Sequence, residues 1–199
     1  MRQSNGQMEA SDATAVAQVL AGDREGFRLL VERHSSAVFR LAFRMTCHEQ
    51  DAEDIVQETF LRAYRALGKF EARANFGTWL HRVAVNCSLD HLRRVHRREE
   101  VAPSDDRTDD TEAEPLDTIA SDGPTPDRLL MSREVQKRLS GAIAELSGRE
   151  RAAFVMRHFD GCSIGEISKT LKIREGAAKN TVCRAVRKLR EALQPLVSA

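Results

Sequence analysis

Residues 99–127, EEVAPSDDRTDDTEAEPLDTIASDGPTPD, set the limits on what this chain can fold into. They hold 11 acids against one base, Arg107, and four of the chain's five prolines. With few large apolar side chains, the stretch cannot bury enough surface to offset the entropy of ordering its backbone, so it reads as a flexible acidic linker. A 199-residue chain divided there builds two small cores, at 13–98 and 128–196, in place of one large one. Aromatics at 5% and charged residues at 31% suit small helical bundles better than a single big interior. No alternating strand pattern persists. The predicted fold is all-α: two small helical domains joined by the acidic linker.

The linker also segregates charge. Residues 13–98 hold 14 Lys/Arg against 10 Asp/Glu, and residues 128–199 hold 15 against 7. Two basic blocks separated by an acidic strip point to two modules that each meet a polyanion. No apolar run reaches the length of a membrane span, so no membrane insertion is expected. The first twenty residues lack the cationic and apolar regions of a secretory signal. Cys47, Cys87, Cys162 and Cys183 are widely spaced without a CxxC, which predicts reduced thiols and a cytoplasmic protein.

Before the linker, apolar spacing predicts a short helix ending at Gly22, then one from Asp23 to about Cys47 with Phe27, Leu30, Val31, Val38, Leu41 and Met45 inward. Another runs from Asp51 to Leu67 with Ile55, Thr59, Ala63 and Leu67 on one face. KFEARANFG reads as a loop, and a last helix from about Phe76 to Arg97 buries Trp79, Leu80, Val83, Cys87 and Leu92. After the linker, helices are expected over 126–145, 147–159, 163–171 and 175–193. Ser147 with Glu150 and Ser163 with Glu166 have the Ser-x-x-Glu spacing of a capping box, in which each side chain satisfies an amide of the other residue.

The last two helices, separated by the turn KIR, have the outline of a helix-turn-helix. Ala178, Val182, Ala185, Leu189 and Leu193 form an apolar stripe expected to pack on Ile164, Ile167 and Leu171. That leaves Lys179, Asn180, Arg184, Arg187 and Lys188 outward, where Lys and Arg read guanine edges, Asn reads adenine and neighbouring cations meet phosphates. A solvated basic hairpin would look similar but would not need the capped first helix and tight turn. LSGRERAAFVMRHFDGCSIGEISKTLKIREGAAKNTVCRAVRKLREAL resembles the promoter-binding C-terminal domain of bacterial sigma factors. Ser168 replaces the usual Ala and Lys172 the usual Gly, and a left-handed Lys172 would cost roughly 1 kcal/mol.

DAEDIVQETFLRAYRALGKF and FGTWLHRVAVNCSLDHLRR resemble the core-binding and −10-recognising domain of extracytoplasmic-function (ECF) sigma factors. Asp51 and Glu53 alone would be explained as acids at a helix start. The resemblance implies that the first helix docks on core RNA polymerase through Asp54, Gln57, Glu58 and Arg62. It implies that the second helix and its preceding loop hold the melted −10 strand. Asn86, Arg73, Ala74 and Asn75 would then meet flipped bases, with Phe70, Phe76 and Trp79 as walls, and Lys69, Arg73, Arg82, Arg93 and Arg94 would meet backbone phosphates. Partners implied are core RNA polymerase, promoter DNA both double- and single-stranded, and, as a further class, an anti-sigma factor.

No nucleophile–base pair, phosphate-cradling loop or pocketed carboxylate pair is evident, so neither an enzyme nor a cofactor is expected. His81, Cys87 and His91 do not converge as metal ligands, since 81 and 87 lie on different helix faces. Cys183 is expected to be a small buried apolar residue. Two other functions stay open at this point: a stand-alone operator-binding regulator, and an adaptor that binds a protein through the acidic helix. The 29 linker residues can stretch to about 100 Å, enough to bridge −10 and −35 elements whose centres lie on the order of 75 Å apart. Their negative charge is also expected to fold over the C-terminal basic block.

Overall fold

The computed structural model describes residues 2–70, 75–101, 138 and 140–197, with side chains at 11–70, 75–98, 138 and 140–194. Regular structure among the described residues is helical, without strands. In chain order the helices are α1 (Arg2–Leu20), α2 (Arg24–Thr46), α3 (Glu49–Ala66), α4 (Phe76–Val101), α5 (Gly148–His158), α6 (Ile164–Leu171) and α7 (Glu175–Val197). A 3-10 turn follows α3 at Leu67–Lys69, and residues 140–144 are helical ahead of α5.

The starts follow local chemistry. Asp23 accepts from Glu25 N to cap α2, and His48 Nδ1 accepts from Asp51 N to cap α3, which therefore begins two residues before the sequence pattern suggests. Both predicted capping boxes form. Glu150 N donates to Ser147 Oγ and Ser147 N to Glu150 Oε2, and Glu166 and Ser163 repeat the exchange. α1 is longer than the short helix expected. α4 continues three residues into the predicted linker, whose remainder lies outside the described residues along with 126–137 and 139 of the expected 126–145 helix.

The N-terminal unit is built from α1 to α4. Leu30, Val38, Leu41 and Met45 of α2, Phe60 and Ala63 of α3, and Phe76, Leu80, Ala84 and Val85 of α4 meet in one core. A smaller cluster of Ala42, Ala52, Ile55 and Cys87 lies beside it. α1 comes so close to α2 that a Cβ on Gly26 would stand 2.5 Å from the Ala15 carbonyl oxygen, so only glycine fits there. His34, absent from the predicted apolar face, is buried because Asp12 of α1 reaches it at 2.8 Å.

In the C-terminal unit the predicted α7 stripe divides. Ala178 and Val182 join Ile167 and Leu171 of α6 in the main core. Ala185 and Leu189, with Leu193 partly buried, instead pack on Ala142, Ile143 and Leu146. The reason is length: an eight-residue helix rises only about 12 Å, so the remainder of α7 needs another partner.

The two units are docked, and the main core runs through both. Arg151 of α5, 6% exposed, donates from Nη1 to Met45 O at 2.6 Å and from Nη2 to Ala144 O at 2.7 Å. Met45 lies in the last turn of α2, where carbonyls lack intrahelical partners and the dipole favours a cation. Burial lowers the pKa of this guanidinium. Position 148 sits over Leu89 and Leu92 of α4, each 3.6 Å or more from where a Cβ would stand.

Candidate polymerase and nucleic-acid interfaces

The acidic residues of α3 lie on its outer face because Ile55, Thr59 and Ala63 hold the opposite face in the core. Asp54 and Gln57 are exposed, while Glu58 and Arg62 are half-buried. Arg62 is committed within the unit, donating from Nε to Glu58 Oε1 at 2.6 Å and from Nη1 to Asp90 Oδ2 at 2.8 Å across to α4. The Asp90 carboxylate, then Glu58, raises the Arg62 pKa and keeps it charged. Arg62 therefore braces the acidic face. Beside it runs a groove of about 510 Å³ between α3 and α4, lined by Asp54, Gln57, Glu58, Leu61, His91 and Arg94 among others. A second hollow of about 590 Å³, between α2 and α3, is lined by Ser35, Phe39, Arg40, Glu53 and Gln57. Leu61 and Tyr64 are each 46% exposed on this side. The sequence reading missed both, although two large apolar residues off the core stripe are a usable signal of a docking surface.

At the start of α4, Asn75 O accepts from Trp79 N and Asn75 Oδ1 accepts from Thr78 N at 3.3 Å. The amide predicted to meet a base thus also caps the helix. Phe70, Phe76 and Trp79 form a three-ring cluster with centroids 5.2–5.9 Å apart. Phe76 is its buried floor, whereas Phe70 and Trp79 are half-buried. Lys69, Asn86, Arg93 and Arg94 are exposed, and Arg93 pairs with Asp90 at 3.0 Å. Arg82 is half-buried beside the α5–α6 turn, where it favours the carboxylate of Glu166 and opposes the rise of the Cys162 thiol, which burial pushes up to about 11. Arg73 and Ala74 lie outside the described residues.

The C-terminal pair has helix-turn-helix geometry. Lys172 caps α6 in the left-handed region, with φ 53° and ψ 48°, and its N–H donates to Ser168 O. Ser168 Oγ donates to Ile173 O at 2.6 Å. The two sequence departures therefore occur in one turn, and the serine hydroxyl adds a bond that alanine would lack. Beyond the turn, Lys179, Asn180, Arg184 and Arg187 are exposed on α7. Among the described residues Arg187 makes only a long pair with Glu191, at 3.9 Å. Lys188 differs: its Nζ sits 2.8 Å from Glu150 Oε2 and ties α7 to the capping box of α5. Burial works against the Glu150 carboxylate, yet hydrogen bonds from Lys188 and Ser147 hold its pKa below the ordinary value. Cys183, expected inside, is exposed on α7, because the buried stripe passes through its neighbours Val182 and Ala185.

No group of His, Cys, Asp and Glu among the described residues could hold a metal ion, and no helix there is long and apolar enough to cross a membrane. The four cysteines are free thiols.

Residues 30–99 match the family model for sigma-70 region 2, and residues 136–189 match that for sigma-70 region 4. The chain is 32% identical to the RNA polymerase sigma-H factor of Pseudomonas aeruginosa, covering 95% of this chain and 97% of the relative. It is 30% identical to the ECF RNA polymerase sigma factor SigW of Bacillus subtilis, over 95% and 100%. Its identity to the ECF RNA polymerase sigma-E factor of Escherichia coli is 33%, over 95% and 97%. Among solved structures, the fold resembles CnrH in complex with the cytosolic domain of CnrY, with TM-score 0.61, 24% identity, and 93% of this chain and 98% of that one covered. It also resembles the Bartonella quintana sigma factor RpoE bound to the anti-sigma factor NepR, with TM-score 0.59, 21% identity, and 84% and 96% covered. With both regions matched in order and relatives aligned over nearly their full length, the chain belongs to the ECF sigma factors, which direct promoter-specific transcription initiation by RNA polymerase.

Proposed function

We propose that α3 docks this sigma factor on core RNA polymerase, that α4 and the loop before it capture the opened −10 element, and that α7 reads the −35 element as duplex. The observation that carries this reading is the exposure of Lys179, Asn180, Arg184 and Arg187 on the second helix of a capped helix-turn-helix. A helix of this kind fits the major groove, where Arg and Lys reach guanine and Asn reaches adenine. Lys188 serves at most as a peripheral contact, since Glu150 already holds its ammonium group.

On the N-terminal side, the exposed Asp54 and Gln57 with Glu58 make a polar docking surface, and Leu61 and Tyr64 add an apolar edge. Phe70 and Trp79, standing on Phe76, offer ring faces beside Asn86, Lys69 and Arg82 for unstacked bases and their phosphates. The polymerase supplies the catalysis, and this chain supplies promoter choice. An anti-sigma partner is part of the proposal, because the two solved structures compared above each hold a second protein.

The test is transcription in vitro with purified core polymerase and genomic promoter fragments, mapping the 5′ ends. Added protein is expected to start transcripts at discrete sites with a shared pair of upstream elements. Tight operator binding without polymerase, and no new start sites with it, would sink the proposal.

A further inference from the structure

The seam between the two units carries opposite charges on its two sides. The N-terminal side contributes Arg44, in the last turn of α2, with His81 and Arg82 of α4. The C-terminal side contributes Asp160, in the turn after α5, and Glu166 in the first turn of α6. Asp160 divides its oxygens between an imidazole and a guanidinium. Its Oδ2 lies 2.9 Å from His81 Nε2, and its Oδ1 lies 3.6 Å from Arg44 Nη1. The Arg44 guanidinium also lies over the Phe159 ring, 4.6 Å from its centroid. Hydrogen bonds from Ser163 hold the Glu166 carboxylate below its ordinary pKa, and Arg82 and His81 add to that.

A carboxylate with one oxygen on a guanidinium and the other on an imidazole has the charge and two-oxygen geometry of a phosphodiester's non-bridging oxygens. We infer that Arg44 and His81 form a seat for a backbone phosphate of promoter DNA, and that Asp160 fills this seat while the two units are docked. The inference rests on α4 being the −10-binding helix, where Arg82 was already expected to meet the backbone. It adds two residues that the sequence did not suggest for DNA.

The docked arrangement cannot serve both promoter elements together. A packed helical body of roughly 150 residues is on the order of 40 Å across, against about 75 Å between element centres. Engagement of both elements separates the units, takes Asp160 away with α5 and α6, and leaves a guanidinium and an imidazole that a phosphate can satisfy. One anion replaces another, so the Arg44 guanidinium is never left bare in a partly buried position. While docked, the same carboxylates keep part of the basic N-terminal surface from gathering DNA at random.

Because the seat takes backbone, the probe is a short fluorescein-labelled oligothymidylate titrated into the full-length chain at several salt concentrations. Asp160→Asn is expected to tighten binding about fivefold at low salt. Adding Arg44→Gln to Asp160→Asn is expected to remove the gain and lower the log–log salt slope by about 0.7, the value for one single-strand phosphate. His81→Gln in the same background should remove part of the gain, and thermal melting reports that each variant is folded. No gain from Asp160→Asn, or a gain that survives Arg44→Gln, would overturn the seat. Promoter-specific transcription by the wild-type chain is scored alongside: if it succeeds while Asp160→Asn is silent, only the seat falls. If transcription fails, the assignment of α4 falls and the seat with it.

Discussion

Two helices of this protein carry the side chains proposed to meet DNA, and they are presented in opposite ways. α7 turns Lys179, Arg184 and Arg187 to solvent and needs nothing moved to reach a groove. α4 leaves Asn86 and Arg94 open, but His81 and Arg82 lie against carboxylates of the other unit. One surface is ready and the other is partly covered. A basic helix face read from sequence is thus an inventory of charge, and its availability depends on what is docked against it.

The strongest way to break this contrast is to undo the docking. Arg151→Met leaves the carbonyls of Met45 and Ala144 without their donor in a buried place, which is expected to cost about 2–4 kcal/mol. Urea unfolding followed by tryptophan fluorescence and circular dichroism checks it. Trp79, the only tryptophan, reports on the N-terminal unit, so the two signals should cease to coincide. Coincident curves at the wild-type midpoint would mean that the covered face is not held by this contact.

The ready face is tested by Arg184→Ala. If the residue reads a base, binding of the holoenzyme to a −35 duplex weakens by about 1–3 kcal/mol, roughly 5- to 150-fold. The midpoint of unfolding should stay put, because among the described residues Arg184 makes only a 3.5 Å contact to Thr181 within its own helix. A phosphate-only role would show as an equal loss on every sequence, with a smaller salt slope.

Glu150→Gln addresses how the ready face is held in place, through Lys188 and the α5 cap. Its loss is expected to cost about 1–2 kcal/mol of C-terminal stability at neutral pH. The pKa of Glu150 is lower folded than unfolded, so its contribution is present above the unfolded value, near 4.3, and is lost as pH falls through the folded value. Acid titration of the wild type should show that loss, and the Gln variant should lack it.

The smallest effect belongs to Lys172→Gly, which relieves a left-handed lysine and should raise stability by about 0.5–1 kcal/mol. Thermal melting measures it. A fall instead would mean that the turn relies on the lysine side chain.

Much of this was legible beforehand. Leu30, Ile55, Ala63, Leu80 and Ala178 stand where helical spacing puts them, and Ser147 and Ser163 cap the helices they were expected to cap. Such features depend on neighbours three or four residues away, and a linear pattern records those distances. The pairing of Lys188, expected at DNA, with Glu150 was not legible, because 38 residues separate them. Arg62, expected at the polymerase, also pairs with Asp90, 28 residues on, which no local window shows.

The sequence by itself determined that the chain is helical, that an acidic proline-rich stretch divides it, and that the last two helices meet at a tight turn. These follow from backbone propensity, capping and the period of apolar residues, all short-range. Only the tertiary structure decided that Arg151 closes the end of α2, that Cys183 faces water, and that Asp160 rests between Arg44 and His81. Those outcomes depend on which surfaces meet after the helices have formed. Pairs of residues tens to more than a hundred positions apart set them, through desolvation and charge that no local window contains.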